Sequence, residues 1–327
     1  MNTLPSIFSL IGLVTSSLVV LKALHIISIY LRPSRIHRYA HTSPTGEKPW
    51  ALVTGASDGI GRQIAHGLAS RGFNVVLHGR NRAKLSNVMV HLQRDHPKTL
   101  FRILVSDAGN VPCTNCIGDK IEGNVDFDAI AESLKDIHLT VLVNNAGSGP
   151  RNPVFSFLDE SSESRITSNI SLNALFPIHM ARALLPQLKR NSPSLILNVS
   201  SLSDQGFPLI VSYSASKMFM ANWTSAVGME MEMSGSSGVE VLVTRVGKAT
   251  GTAHNKTPIK AVQPDAETVA RAILDRAGWG YGVVTAYWMH AVQEAGLVVL
   301  PGWARRWLFM VVMRGEQAEE LRMMKEA

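Results

Sequence analysis

The sequence has few cysteines, and this shortage excludes two classes of protein. Cys113 and Cys116 are its only cysteines, so the chain has no disulfide framework and nothing argues for an oxidising compartment. Their C-x-x-C spacing is not matched by a second cysteine pair or by histidines at zinc spacing. We therefore predict no metal site.

Charged residues are also sparse, at 17% of the chain. Lysine and arginine number 32 against 25 aspartates and glutamates, which gives a formal charge of +7. These basic residues are scattered and do not form a stripe with interleaved aromatic residues. The composition therefore argues against a nucleic-acid partner.

One long apolar run stands out at the N-terminus. Leu4 to Leu31 is interrupted only by Lys22 and His25, and Thr3 to Leu21 alone is long enough to cross a bilayer. The run is too long for a signal peptide and lacks a small-residue cleavage site. We predict a membrane anchor, the alternative being an apolar helix packed on the rest of the protein.

A basic segment follows this run. By the positive-inside rule, it predicts that the remaining chain faces the cytosol. The segment contains Arg32, Arg35, His37, Arg38, His41 and Lys48.

The chemistry is organised around the stretch Thr54 to Gly61, which reads TGASDGIG. The apolar run Trp50 to Val53 predicts a strand before it, and the apolar spacing after Gly61 predicts a helix. Glycines at such a turn let backbone N–H groups approach a pyrophosphate and present the helix N-terminus to its charge. Gly55, Gly59 and Gly61 therefore predict a dinucleotide site.

The end of the second predicted strand, Phe73 to His78, indicates which dinucleotide binds. A carboxylate there would accept from a ribose hydroxyl, whereas an arginine suits a 2′-phosphate. The chain has Gly79 followed by Arg80, with Arg82 close by, so NADP(H) is favoured. The alternative is that both arginines are surface charges at a helix start.

Further strands are predicted at Phe101 to Val105, Thr140 to Val143 and Leu195 to Val199. They alternate with helical segments, among them 127–137 and a long helix over 161–189 that is interrupted near Pro177. This alternation predicts an α/β fold, a Rossmann-type doubly wound parallel sheet in a single domain. Asp107 follows the third strand as a candidate acceptor for an adenine amino group or as a helix cap. Ser200 and Ser201 follow the strand from Leu195, at the edge where such sheets bind ligands.

The stretch Tyr213 to Lys217, YSASK, lies on a predicted helix. Residues four apart share a helix face, so Tyr213 and Lys217 point the same way. A nearby ammonium would stabilise a phenolate and lower the pKa of the tyrosine.

Taken in order, the motifs at Thr54 to Gly61, Asn144 to Gly147 (NNAG) and Tyr213 to Lys217 resemble the short-chain dehydrogenase/reductase family. With the apolar N-terminus and the tail motifs Tyr287 to His290 and Leu300 to Trp303, the chain looks like its membrane-bound subgroup of very-long-chain 3-oxoacyl-CoA reductases and 17β-hydroxysteroid dehydrogenases.

The resemblance implies site residues. It implies Tyr213 as general acid, Lys217 as its activator and ribose clamp, Asn169 as holder of a water relay, and a serine that orients the ketone. The cofactor contacts that it implies are Gly55, Ser57, Asp58, Gly59, Ile60, Gly61, Arg80, Asp107, Asn145, Tyr213, Lys217 and Val246.

Two departures from the family pattern affect the site. Counting back from Tyr213 gives Ser200 as the active-site serine, whereas anchoring on the strand motif gives Ser201, which we favour. After the sixth strand, where the family has a proline, the chain reads Arg245 to Lys248, RVGK. We expect this change to affect the cofactor-contacting loop and substrate choice but not the fold.

We therefore expect residues 1–45 to form an anchor and basic linker, 46–290 a Rossmann domain and 291–327 an apolar C-terminal extension. That extension, with Trp288, Trp303 and Trp307 nearby, is either a pair of closing helices or an amphipathic surface on the membrane.

The expected function is NADPH-dependent reduction of a lipid-like ketone, foremost a very-long-chain 3-oxoacyl-CoA in fatty acid elongation. The alternatives are a steroid or secondary-metabolite keto-reductase and a non-catalytic cofactor-binding membrane scaffold. The presence of all four catalytic candidates argues against the scaffold. The resemblance implies the endoplasmic reticulum membrane and is compatible with a homodimer.

Overall fold

A computed structural model describes residues 7–111, 124–150, 153–252, 255 and 257–326. Cys113 and Cys116 lie outside the described residues. The chain divides into two units between Ser34 and Arg35. In the first, helix α1 covers Ile7–Leu31, and by its length and a mean hydropathy of 2.1 it is able to cross a membrane.

The second unit is built on a seven-stranded, entirely parallel sheet in the order β3-β2-β1-β4-β5-β6-β7. The strand order reverses direction between β1 and β4, the point where doubly wound sheets bind ligands. The predicted fold class is confirmed. The strands are β1 Trp50–Thr54, β2 Asn74–Gly79, β3 Phe101–Val105, β4 Leu139–Asn144, β5 Ser194–Ser201, β6 Val239–Val246 and β7 Val283–Thr285.

Helices cover both faces of the sheet. On one face, α2 contacts α3 and α8, and on the other, α6 contacts α4 and α7. The described helices of this unit are α2 Gly59–Ala69, α3 Arg82–Asp95, α4 Phe127–Ser133, α5 Glu163–Ile170, α6 Phe176–Arg190, α7 Val211–Met233, α8 Ala266–Asp275, α9 Trp288–Val299 and α10 Gly302–Glu326.

The central strands have no exposed face. β1, β2 and β4 are buried at every position, as expected for a parallel sheet covered by helices on both sides. A large cluster of buried side chains joins these strands to α4, α6 and α7. This core fixes the positions of the strand ends, where the predicted site residues lie.

Two helix boundaries differ from the sequence prediction. The helix predicted over 127–137 ends at Ser133, and the residues up to the start of β4 form turns. The long helix predicted over 161–189 is α5 and α6 joined through a π-helical turn, Ser171–Leu175. Pro177 lies in the first turn of α6, where a missing N–H is tolerated.

Candidate active site

The glycine turn connects β1 to α2 at the carboxyl edge of the sheet. Gly55 and Gly59 have φ of 66° and 52°, in the left-handed region that favours glycine. A Cβ on Gly61 would lie 2.3 Å from the backbone oxygen of Gly55 and 2.4 Å from Nδ2 of Asn145. Any larger residue at 61 would therefore push α2 away from the turn.

The N-terminus of α2 is prepared for an anion. Asp58 caps the helix, because its Oδ1 accepts from the N–H of Gly59 at 2.7 Å. Ser57 and Ile60 are partly exposed beside it. The tight turn and the accessible helix end fit the pyrophosphate of a dinucleotide.

Asn145 and Thr54 hold the turn against the end of β4. The Asn145 side chain donates to the backbone oxygens of Thr54 at 3.0 Å and Gly55 at 3.4 Å. The Thr54 hydroxyl accepts from the backbone N–H groups of Asn145 and Ala146, both at 2.9 Å. The role of Thr54 could not be predicted from the sequence, because it depends on the pairing of β1 with β4.

The end of β2 carries the exposed Arg80. Arg80 is exposed directly after the strand, while Asn81 caps α3 by accepting from Lys84 N at 2.9 Å. A Cβ on Gly79 would approach Leu85 no closer than 3.5 Å, an ordinary contact. Packing therefore does not require glycine at 79. After β3, Asp107 accepts from Gly109 N at 3.0 Å within its own turn.

The two candidate serines point to different partners. Ser200 is buried and donates to the backbone oxygen of Lys217 at 3.1 Å. Ser201 hydrogen bonds to Tyr213, and its Oγ also lies 2.6 Å from Oγ of Ser203. Of the two hydroxyls, that of Ser201 is therefore available beside the phenol.

Burial controls the ionisation of Tyr213 and Lys217. It raises the pKa of Tyr213, an effect that the hydrogen bond from Ser201 opposes and the charge of Asp204 reinforces. Burial lowers the pKa of Lys217 to about 8. We expected Lys217 to lower the pKa of Tyr213, but that pKa is raised, and the opposing contact comes from Ser201. The Lys217 ammonium lies 5.6 Å from the ring centroid of Tyr213 and donates to Val199 O at 2.9 Å.

Two asparagines connect the helices to the segment after β4. Asn169 donates to Ser148 O at 3.0 Å and accepts from the Ser212 hydroxyl at 3.1 Å. Asn173, in the π-helical turn, donates to the same oxygen at 2.9 Å and to Asn169 O at 2.9 Å.

Asn173 also faces Lys217. A Cβ on Gly147 would meet Oδ1 of Asn173 at 2.7 Å and Nζ of Lys217 at 3.0 Å, so both groups border the same small space. Asn173 was not predicted as a site residue, because no local sequence pattern distinguishes this fully buried asparagine, four residues after Asn169.

Beyond β6, the chain returns over the glycine turn. Val246 is the last residue of β6 and pairs with Ser201, while Thr252 lies against Gly59, 3.3 Å from the position of a Cβ there. The N–H of Gly247 donates to Nδ1 of His290 in α9 at 3.0 Å. The stretch RVGK at the end of β6, which lacks the family's proline, is thus held by a contact with α9.

An apolar cluster borders Tyr213. Its buried part consists of Leu209, Ile210 and, from α10, Met313. Phe207 stacks on Phe309 of α10, with the ring centroids 4.1 Å apart. Glu320 of α10 accepts from the backbone N–H groups of Val154 at 2.6 Å and Phe155 at 3.0 Å. The residues that pack against this cluster are Val154, Phe155, Phe207 and Tyr213.

A cavity of about 610 Å³ lies elsewhere, near the start of β4 at the opposite edge of the sheet. His41, His138 and Arg190 line it, and none of the predicted site residues does. Among the described residues, no cluster of potential metal ligands occurs.

Comparison with known proteins finds both sequence relatives and structural relatives of the chain. The short chain dehydrogenase family matches residues 49–261 of the chain. The very-long-chain 3-oxoacyl-CoA reductase of Aspergillus terreus is 26% identical over 284 residues, covering 85% of this chain and 75% of that protein. The enzyme of the same name from Meyerozyma guilliermondii is 28% identical over 261 residues, covering 76% of this chain and 72% of that protein.

Solved structures share the fold. The bulky-bulky ketone specific alcohol dehydrogenase from Comamonas testosteroni superimposes with a TM-score of 0.59 at 21% identity, covering 78% of this chain and 95% of that one. A short-chain dehydrogenase from Sphingobium yanoikuyae in complex with NADPH gives a TM-score of 0.58 at 21% identity, covering 78% and 97%.

Proposed function

Because the chain belongs to the short chain dehydrogenase family, it is a nicotinamide-dependent oxidoreductase, and we propose that it uses NADPH to reduce the keto group of a long-chain 3-oxoacyl-CoA. The observation that carries the proposal is the contact between Ser201 and Tyr213 beside the buried Lys217. These groups lie at the carboxyl edge of the sheet, next to the glycine turn.

In the proposed reaction, the protein binds the ketone oxygen between two hydroxyls. Ser201 donates a hydrogen bond that orients the carbonyl, and Tyr213 gives its proton to the same oxygen as charge develops there. When bound, the reduced nicotinamide supplies the hydride to the carbonyl carbon. The residues that would hold the dinucleotide are those of the glycine turn, Asn145, Asp107, Val246 and Lys217.

Tyr213 must recover a proton after each turnover. Lys217 is buried behind it, and Asn169 and Asn173 lie along the route from Lys217 to Ser148. We assign the holding of a water relay to this asparagine pair. Asn173 is the stronger candidate because it shares the space around Gly147 with Lys217.

The choice of NADPH rests on Arg80. Its guanidinium is exposed at the end of β2, where a 2′-phosphate would lie, and position 79 has no acid that would favour a ribose hydroxyl. The bound NADPH of a structural relative is consistent with this choice.

We assign the acyl chain to the apolar surface beside the cluster of Leu209, Ile210 and Met313. Such side chains would take an alkyl chain adjacent to Tyr213, while the polar hydroxyls hold the keto group. The names of the fungal relatives support the same substrate class and a place in fatty acid elongation.

The proposed setting is the endoplasmic reticulum membrane, with the catalytic unit in the cytosol. Helix α1 would be the anchor, followed by the basic linker that ends the segment 1–45. The catalytic domain would cover 46–290, and the 291–327 extension would meet lipid through the exposed Trp303 and Trp307, near Arg305 and Arg306.

Removal of residues 1–32 tests this arrangement. We expect the shortened protein to leave the membrane fraction. Membrane binding that persists in high salt would instead assign the anchoring to the C-terminal extension.

A substrate panel tests the reaction. The full-length protein in detergent is given NADPH with 3-oxoacyl-CoA thioesters, hydroxysteroid-type ketones or small ketones, and NADPH consumption is followed. We expect the thioesters to be the best substrates and Y213F to be inactive with all of them. Preference for a compact polycyclic ketone would support a steroid reductase, and inactivity with every ketone would support a non-catalytic scaffold.

A further inference from the structure

Arg245 opens the stretch RVGK, in which the family's proline is missing, and the proposed reaction leaves it without a role. It is the penultimate residue of β6 and pairs with Ser200 of β5 and Thr285 of β7. Its side chain is 23% exposed, so the guanidinium is mostly withdrawn from water. An arginine in such a position needs partners.

The guanidinium joins two carboxylates from distant parts of the chain. Its Nε donates to Oδ2 of Asp204 at 2.6 Å, and its Nη1 donates to Oε1 of Glu294 in α9 at 2.9 Å. The other oxygen of Glu294 accepts from the Thr285 hydroxyl. Arg245 therefore ties the turn that contains Asp204 to α9 across the end of the sheet.

Asp204 depends on this contact. Its side chain is fully buried, and its Oδ1 has no hydrogen-bond partner in the described part of the chain. A buried carboxylate without a compensating charge is strongly unfavourable. Arg245 supplies the positive charge, while Glu294 divides its contact between Arg245 and Thr285.

Asp204 also lies close to the catalytic groups. It belongs to the 3₁₀ turn Leu202–Gln205, which begins directly after Ser201. Burial raises the pKa of Tyr213, Ser201 opposes this, and the charge of Asp204 raises that pKa further. An Asp204 charge that Arg245 did not balance would make Tyr213 a weaker acid.

The other polar groups near Tyr213 have separate partners. Lys217, on the same helix, donates to Val199 O, and Asn169 of α5 is neutral. On α10, Glu316 pairs with Lys248, and Glu320 accepts from backbone N–H groups. Of these carboxylates, Asp204 is therefore the one whose neutralisation most affects the pKa of the Tyr213 phenol.

We propose that Arg245 is a positioning residue for Tyr213: it fixes the turn after Ser201 against α9 and neutralises Asp204, and so sets how readily Tyr213 gives up its proton. The proposal rests on the proposed role of Tyr213 as proton donor. In this role Arg245 touches neither the ketone nor the dinucleotide.

The test uses D204N as its main variant, because asparagine removes the charge while keeping the shape. E294Q is the matched control: it weakens the other ion pair of the same guanidinium and leaves the pair with Asp204 in place. R245M leaves Asp204 buried without its counter-ion, R245K keeps the charge, and R245M/D204N removes both charges.

The measurement is tyrosinate absorbance at increasing pH for the full-length protein in detergent. Each variant is compared with the same variant carrying Y213F, so that the difference isolates Tyr213. We expect D204N to move the Tyr213 titration to lower pH, R245M to move it to higher pH, and E294Q to leave it unchanged. R245K and R245M/D204N should return it toward the wild-type position.

Turnover provides the second readout. We expect R245M to lower kcat about tenfold, a part of the roughly 10²–10⁴-fold that a positioned general acid contributes. R245K should recover most of this loss.

An unmoved titration in D204N, or an equal shift in E294Q, would overturn the proposal. If R245M fails to fold, the Tyr213 titrations in D204N and E294Q still test the proposal. Y213F distinguishes this proposal from the proposed function. If Y213F is inactive and the Tyr213 titration does not move in D204N, only the role of Arg245 is overturned. If Y213F is active and the titration moves, the role of Tyr213 as proton donor is overturned.

Discussion

The two sides of the carboxyl edge are held by different kinds of contact. On the cofactor side, the glycine turn is fixed through backbone groups, with Thr54 and Asn145 closing β1 against β4. On the substrate side, ion pairs and packing connect the turn after Ser201 to α9 and α10. Backbone contacts restrict which residues are allowed, whereas side-chain contacts let the sequence vary. The cofactor side therefore carries a recognisable motif and the substrate side does not.

The largest expected effect concerns Tyr213, which belongs to both sides. Y213F should lower turnover about 10²–10⁴-fold, because the phenol transfers a proton in the transition state. NADPH affinity, measured by fluorescence titration, should change little. Turnover close to wild type would remove Tyr213 from its proposed role.

A clash at Gly61 tests the cofactor side alone. G61A places a Cβ 2.3 Å from Gly55 O, so we expect a loss of roughly 1–3 kcal/mol or more in unfolding free energy and weaker NADPH binding. The matched control is G228A in α7, where a Cβ would meet nothing within 4 Å. That variant should be stabilised by roughly 0.5–1 kcal/mol. Equal thermal shifts in both variants would contradict the close packing of the turn.

Cofactor preference should depend on Arg80. R80D should move the ratio of NADPH to NADH efficiency toward NADH about tenfold, because a charge-assisted contact to an exposed phosphate is lost. G79D, which packing permits, should act in the same direction. R82D is the comparison variant. A shift in R82D without one in R80D would make Arg82 the selector.

The titration of Lys217 gives a smaller, pH-dependent effect. Its pKa is lowered to about 8, so its ammonium is lost as pH rises through that value. NADPH affinity should then fall by at most about tenfold per pH unit. The effect on the free energy of unfolding has the opposite sign. The cost of burying the charged Lys217 is present below about pH 8 and disappears as the pH rises, so the folded protein should become more stable. K217M should show neither dependence, and a persisting pH dependence in K217M would assign the ionisation to another group.

The sequence predicts much of the fold because the strands and helices carry strong local patterns. Trp50 to Gly61 shows a strand, a glycine turn and a helix in sequence, and Tyr213 to Lys217 is recognisable through the family resemblance. Other parts of the site depend on residues far apart in the chain. The contact between Val154 and Glu320 spans 166 positions, and the Arg245 network joins β6 to a turn and to α9. No local pattern predicts such contacts, and Asn173 was missed for the same reason.

Acyl-chain dependence tests the central claim most directly. A series of 3-oxoacyl thioesters of increasing length is assayed with NADPH in detergent at fixed pH. Each buried methylene contributes up to about 0.8 kcal/mol, so kcat/KM should rise by up to about fourfold per methylene until the apolar cluster is filled. A flat series, or a polycyclic ketone turned over more efficiently than every thioester, would contradict the assignment to 3-oxoacyl substrates.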